Sequence, residues 1–240
     1  MRAAMHGILL CAGQGSRLLP LTDRLPKCLV EVGGRAILEH QLEALASAGV
    51  SSASVIAGYR HAQVAAFLDR PLPLPVDLVL NPFWSVSNSI GSVWAVRAAL
   101  DAPFVLANGD TVFDPGVLDA ALAEARAGVR LLVEPIVVPD VDDMRVSVSE
   151  GRVLAVSKTL DEARTTHRSL GVIVSGGGSD YRASLQAVIE RDNGHAAFHH
   201  AVIDLLARAG AVGAVERGAG AWQEFDRPED LARWDELHRR

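Results

Sequence analysis

The apolar run Ile8-Leu9-Leu10-Cys11 stops abruptly at Ala12-Gly13-Gln14-Gly15-Ser16-Arg17-Leu18, and Pro26-Lys27-Cys28-Leu29 follows. A buried strand that ends in a glycine turn and then supplies two cations is a device for holding a polyphosphate. Gly13 and Gly15 let backbone N–H groups approach phosphate oxygens with no Cβ in the way, and Arg17 and Lys27 neutralise the remaining charge. Two familiar phosphate loops are excluded. The dinucleotide fingerprint needs a third glycine where this chain has Leu18, and the Walker loop needs Gly-Lys-Ser/Thr, which the sequence lacks. The expected ligand is a nucleoside triphosphate held by a different loop.

Beyond that loop, strands alternate with helices. Ile37 to Ala48 reads as a helix stopped by Gly49, Ser54 to Ala57 as a strand, Ala62 to Leu68 as a helix, and Val76 to Leu80 as a strand. Ser89 to Leu100 is expected to be helical, with Ser87, Asn88 or Ser89 as its cap. Phe104 to Ala107 is a buried strand running into Asn108-Gly109-Asp110, and Asp114-Pro115 opens another helix with aspartate as cap. From Arg130 onward, short period-two pieces at 131–133, 145–148, 153–156 and 170–174 suggest antiparallel strands on the edge of the first sheet. Helices follow at about 181–191 and 196–209. The expected architecture is α/β, a Rossmann-like three-layer arrangement with a mixed, mostly parallel sheet between helices and a small antiparallel subregion. One domain over 1–240 is expected, divided into halves at about residue 130.

With 240 residues, 49% hydrophobic and 22% charged, the chain can bury a large core. Its net charge of -6 argues against a general nucleic-acid binder, which needs a basic face. No apolar stretch approaches the length of a membrane span, and residues 1–11 lack a signal-peptide pattern. A cytoplasmic location without a membrane partner is expected. Cys11 and Cys28 form no ligand pattern and suit a reducing compartment.

Two carboxylate segments complete the chemistry. Asp110 follows a buried strand at the edge where open α/β sheets bind ligands, although a plain turn would use the same residues. In Trp222-Gln223-Glu224-Phe225-Asp226, alternation puts Trp222, Glu224 and Asp226 on one face and Gln223 and Phe225 on the other. Asp226 with Glu229 is also a capping-box-like helix start.

The spacing L-x-x-G-x-G-x-R-L, then Pro20-Leu21-Thr22, Pro26-Lys27 and Val32-Gly33-Gly34, resembles the nucleotidyltransferase family that activates sugar phosphates and small phosphoalcohols. The likeness runs from Ile8 to about Trp234. It implies a nucleotide-binding set of Leu10, Ala12, Gly13, Gln14, Gly15, Ser16, Arg17 and Lys27, and a divalent cation, Mg2+ or Mn2+, on Asp110 and Asp226 with Glu224 close by. The segment from Asn81 to Ser92 resembles the choline-phosphate and phosphonate cytidylyltransferase branch. That resemblance points to CTP, with Asn88 and Ser89 near the base, although the branch often carries a second asparagine where this chain has Ser89. Val153 to Lys158 resembles the strand that presents a lysine to the acceptor phosphate, so residues 131–240 become the acceptor-binding half. Many relatives carry an acid before a glycine on the next strand, where this chain has Arg168-Ser169-Leu170-Gly171. Arg168 would favour extra negative charge on the acceptor, unless it is simply solvated.

The implied reaction is transfer of a nucleotidyl group, CMP above others, to a small phosphate or phosphonate acceptor, with Arg17, Lys27 and Lys158 as catalytic cations and Lys158, Arg168 and Glu224 around the acceptor. A sugar-1-phosphate nucleotidylyltransferase using UTP, dTTP or GTP is the alternative enzyme, and a silent nucleotide-binding regulator is the alternative of another class. A homodimer is left open. His199 and His200 are expected on different sides of a helix, which disfavours a metal site with His195, and Asp140, Asp142 and Asp143 read as a solvated turn.

Overall fold

The computed structural model describes residues 4–125, 128–136, 138 and 140–238. In chain order the first half gives β1 (His6–Cys11), the short pair β2 (Glu31–Val32) and β3 (Arg35–Ala36), α1 (Ile37–Ser47), β4 (Ser52–Ala57), α2 (His61–Leu68), β5 (Val76–Leu80), α3 (Ser89–Ala95), β6 (Phe104–Asn108), β7 (Thr111–Phe113) and α4 (Asp119–Glu124). The second half gives β8 (Val129–Pro135), β9 (Arg145–Ser149), β10 (Arg152–Ser157), β11 (His167–Ser175), α5 (Tyr181–Ile189), α6 (His200–Arg208), β12 (Val212–Glu216), β13 (Trp222–Glu224) and α7 (Pro228–His238).

A nine-stranded mixed sheet runs in the order β5-β4-β1-β6-β11-β8-β12-β10-β9. The block β5-β4-β1-β6 is parallel, β11 joins β6 antiparallel, and the short strands of the second half continue the same sheet. Period-two alternation sends Leu9, Val55 and Val105 to one core, with Leu38, Leu42 and Leu45 of α1, and Ile8, Ile56 and Leu106 to the other, with Val93 of α3, Leu185 of α5 and Ile203 of α6. This gives the α/β sandwich of helices on both faces. A third, smaller core of Leu18, Val30, Val32, Ile37, Val112 and Phe225 lies between the glycine loop and α7.

Local differences from the expected elements have physical causes. The helix from Ser89 leaves α geometry at Val96 and tightens to a 3-10 turn at Arg97–Ala99, while Val93, Val96 and Leu100 stay buried on one face. Asp114 makes no side-chain cap, because its carboxylate accepts the Ala221 N–H instead and ties the approach to β13. The helix after Pro115 begins as a 3-10 turn and becomes α4 only at Asp119. After α5, α6 starts at His200 rather than near Ala196, following a 3-10 turn at Gly194–Ala196. The sequence pattern predicts no strand at β12, because its Val-Gly-Ala-Val-Glu offers only two large apolar residues, yet it pairs in parallel with β8.

Candidate active site

The register explains why distant motifs meet. Leu10 pairs with Asn108 across β1 and β6, so the glycine loop and Asn108-Gly109-Asp110 leave the sheet side by side at the carboxyl edge. Gly109 permits that approach, since a Cβ there would lie 2.6 Å from the Leu10 carbonyl oxygen. β13 then zips antiparallel onto β7, with Glu224 opposite Thr111, and the Phe225 N–H donates to the Asp110 carbonyl at 2.9 Å. Phe225 is fully buried in the third core, edge-on to Trp234, which fixes the backbone on either side of it. Asp226 therefore arrives beside Asp110.

The glycine loop closes over Lys27. Gly15 sits at φ 74°, in the left-handed region, and a Cβ there would meet the Lys27 side chain at 2.8 Å. Thr22 Oγ1 donates to the Gly15 carbonyl at 2.8 Å, and the N–H groups of Gly13, Gln14 and Gly15 make no backbone hydrogen bond among the described residues. Those N–H groups form a cradle suited to an oxyanion. Lys27 Nζ donates to Asp110 Oδ2 at 2.7 Å and to Asp226 Oδ1. Burial pulls the ammonium down, but the Asp110 and Asp226 carboxylates outweigh it and hold the Lys27 pKa above its ordinary value. Arg17 Nη2 reaches Asp226 Oδ2 at 2.7 Å.

Carboxylate oxygens of Asp110, Glu224 and Asp226 all lie within 4.8 Å of one another. Asp110 Oδ1 is buried without a hydrogen-bond partner among the described residues. Burial, then the Asp110 and Asp226 charges, push Glu224 up to about 8, with Lys27 and Arg17 offsetting part of the shift. Three hard oxygen donors, one of them orphaned, fit a divalent cation such as Mg2+ or Mn2+. Glu224 thus sits in the carboxylate cluster and also lines the cleft shared with Lys158. The capping alternative for Asp226 is corrected too: Asp230, not Glu229, accepts the backbone N–H groups of Asp226 and Arg227, and the Asp226 side chain is turned to the cations.

These groups open onto a cleft of about 1060 Å³. Leu10, Ala12, Gly13, Arg17, Asn88, Ser89, Asp110, Lys158, Arg168, Glu224 and Asp226 line it, while Gly15, Ser16 and Lys27 line a smaller adjoining pocket of about 270 Å³. Gln14 lines neither. Asn88 does cap α3, its Oδ1 accepting the Ser89 N–H at 2.7 Å, and Ser89 Oγ is engaged by the His199 backbone N–H.

On the far side, Lys158 Nζ lies 5.0 Å from the centre of the Phe198 ring, with no carboxylate within ion-pair distance among the described residues. Arg168 is not simply solvated, although it lines the cleft. It pairs with Glu134 at 3.0 Å and Asp143 at 3.4 Å and lies over the Trp222 ring. His199 precedes α6 instead of sharing its faces with His200, so their rings meet, with centroids 4.1 Å apart. Both are buried at the cleft wall, hydrogen-bonded to Ser89 and Ser169, while the His195 side chain is exposed. Burial lowers His199 to about 4, and burial with His199 and Lys158 nearby puts His200 well below its usual value. The acidic turn is not merely solvated, because Asp142 pairs with Arg17 and Arg227. Sequence reasoning missed Asp142, Arg227 and the histidine wall, whose partners are far along the chain and leave no local spacing to read.

Comparison with known proteins bears on the family and the fold. The chain is 30% identical over 240 residues to the CMP-5'-(3-aminopropyl)phosphonate synthase of Streptomyces rubellomurinus, an alignment covering 96% of this chain and 38% of that protein. A Debaryomyces hansenii mannose-1-phosphate guanyltransferase is 52% identical over 114 residues, covering 46% of this chain and 32% of the relative. The chain thus spans well under two thirds of the curated relatives it matches. Among solved structures, the inositol-1-phosphate CTP transferase from T. maritima superposes with a TM-score of 0.79 at 22% identity, covering 98% of both chains. The CTP:phosphocholine cytidylyltransferase of Streptococcus pneumoniae gives 0.78 at 18% identity, covering 98% of this chain and 99% of its own. Among the described residues, no helix is long and apolar enough to cross a membrane. With residues 7–222 matching its pattern, the chain belongs to the MobA-like NTP transferase domain family.

Proposed function

We propose that this chain transfers a nucleotidyl group, CMP above others, from a nucleoside triphosphate to a small phosphonate or phosphoalcohol and releases pyrophosphate. The observation that carries the reading is Lys27 clamped between Asp110 and Asp226 beside a glycine loop whose Gly13, Gln14 and Gly15 N–H groups make no backbone hydrogen bond among the described residues. A phosphate monoester has its second pKa near about 6, so the acceptor is already a nucleophile at neutral pH and no general base is needed. Its oxygen attacks the α-phosphorus in line, and the bond to the departing pyrophosphate breaks.

The residues of this chain position and neutralise. The N–H groups of the glycine loop cradle phosphate oxygens, Lys27 and Arg17 stabilise charge that grows as pyrophosphate leaves, and Lys158 reduces repulsion between the two anions. A divalent cation held by Asp110, Asp226 and Glu224 would add charge neutralisation on the phosphate oxygens. Arg168 organises Glu134, Asp143 and Trp222 instead of meeting the acceptor directly. The phosphonate relative's name supports CTP and a phosphonate; the guanyltransferase relative supports a second reading, transfer to a sugar 1-phosphate.

The test is pyrophosphate release with Mg2+, crossing CTP, UTP, dTTP, GTP and ATP against phosphocholine, 2-aminoethylphosphonate and hexose 1-phosphates. Release with CTP and a phosphonate or phosphoalcohol is expected. Release with GTP and a hexose 1-phosphate would move the assignment to the second reading, and silence in every pair despite nucleotide binding would favour the regulatory alternative.

A further inference from the structure

One oxygen of Asp142 lies between two guanidiniums. Its Oδ2 is 3.0 Å from Arg17 Nη1 of the glycine loop and pairs with Nη2 of Arg227, the residue that follows Asp226. Two guanidiniums converging on one anionic oxygen are equally suited to a phosphate oxygen, which offers more charge and more acceptor positions than a carboxylate. The other arm of Arg17 lies on Asp226, so this pair of cations adjoins the carboxylate cluster and the same cleft.

Arg227 is held in place by the chemistry that holds Asp226. The Asp230 carboxylate accepts the backbone N–H of Asp226 at 2.9 Å and of Arg227 at 2.8 Å, so one turn fixes both. The Asp142 side chain is 37% exposed, and those of Arg17 and Arg227 are 45% and 51% exposed. Ion pairs this open to water contribute little and are readily exchanged. Asp142 can leave without unravelling its turn, because Asp143 accepts the Asp140 N–H and pairs with Arg168.

We propose that Arg227 is a second polyphosphate-binding residue, acting with Arg17 on the triphosphate and on the departing pyrophosphate, and that Asp142 competes with those phosphates for the two guanidiniums. This rests on the nucleotidyl-transfer reading. It requires effects of opposite sign: losing the Arg227 charge weakens polyphosphate binding, and losing the Asp142 charge strengthens it.

Calorimetric titration of inorganic pyrophosphate with Mg2+ tests this on the wild-type chain and on Arg227→Ala, Arg227→Lys, Asp142→Asn and Asp140→Asn. Arg227→Ala is expected to weaken binding roughly tenfold or more, as loss of a hydrogen bond between charged groups does. Arg227→Lys should recover part of the loss, Asp142→Asn should bind a few-fold tighter, and Asp140→Asn, whose carboxylate meets the Asp142 N–H and, among the described residues, no guanidinium, should match wild type. Unchanged affinity in Arg227→Ala, or weaker binding in Asp142→Asn, would overturn the proposal. If Arg227→Ala does not fold, the sign of the Asp142→Asn change decides it. Binding is read without turnover, so this pattern in a chain that releases no pyrophosphate from any nucleotide would keep the Arg227 site and remove only the transfer reading.

Discussion

The glycine-loop end of the cleft and its Lys158 end differ in what holds their charges. At the first, backbone does most of the placing: β1 and β6 exit in register, β13 zips onto β7, and the buried Phe225 ring pins Asp226 next to Asp110. At the second, side chains hold side chains. Arg168 is braced by Glu134 and Asp143, and the adjoining rings of His199 and His200 hydrogen-bond to Ser89 and Ser169. Backbone placement tolerates no shift at the reacting phosphate. A side-chain scaffold can be rebuilt by substitution while the sheet beneath it stays the same, which suits the wall that would meet a variable acceptor.

The largest effect that could break this contrast is at Phe225. Phe225→Ala should cost about 3–5 kcal/mol, as for large aromatic truncations in a core, and should lower turnover because Asp226 loses its anchor. Thermal melting and steady-state kinetics read the two together. A variant that melts as expected but keeps full activity would show that β13 alone positions Asp226.

Arg168 gives a smaller effect on the other side. With its guanidinium spent on Glu134 and Asp143, Arg168→Ala should cost about 1 kcal/mol of stability and should not discriminate between acceptors with and without a carboxylate. A KM rise confined to carboxylated acceptors would return Arg168 to substrate recognition.

Much of the first end was legible in the sequence, because its determinants are local: an apolar strand, two glycines, and an aspartate following a buried strand. The alternation that put Glu224 and Asp226 on one face also survived folding. The second end was far less legible. Arg168 carries no spacing signal there, and neither do Asp142 and Arg227 beside Arg17 at the first end, since each acquires its role from a partner brought by the fold from a distant segment. The histidines misled for a related reason. Helical periodicity separates His199 from His200 only if both are in the helix, and α6 begins at the second of them.

The contrast is sharpened further by pH slopes of opposite sign. Glu224, raised to about 8 in the fold, binds its proton more tightly there than in the unfolded chain, so without divalent cation its contribution to stability falls as pH rises from the ordinary carboxyl range through 8. The slope is at most about 1.4 kcal/mol per pH unit. His199, lowered to about 4, works the other way: its contribution is complete above the ordinary histidine value and is lost as pH falls through 6.5 towards 4. Melting curves across pH 4 to 9 should show Glu224→Gln flattening the alkaline limb and His199→Gln flattening the acid limb. Added Mg2+ should also flatten the alkaline limb, with proton release on binding near neutral pH. Unchanged limbs in both variants would mean that neither group is held in the protonation state its burial imposes.

The central claim, that the clamp of Lys27 between Asp110 and Asp226 is where nucleotidyl transfer is catalysed, is tested most directly by turnover of Lys27→Ala beside a check of its fold. A loss of roughly 10²- to 10³-fold is expected, comparable to removing one oxyanion donor, in a protein that still melts cooperatively. Near-normal turnover in that folded variant would contradict it.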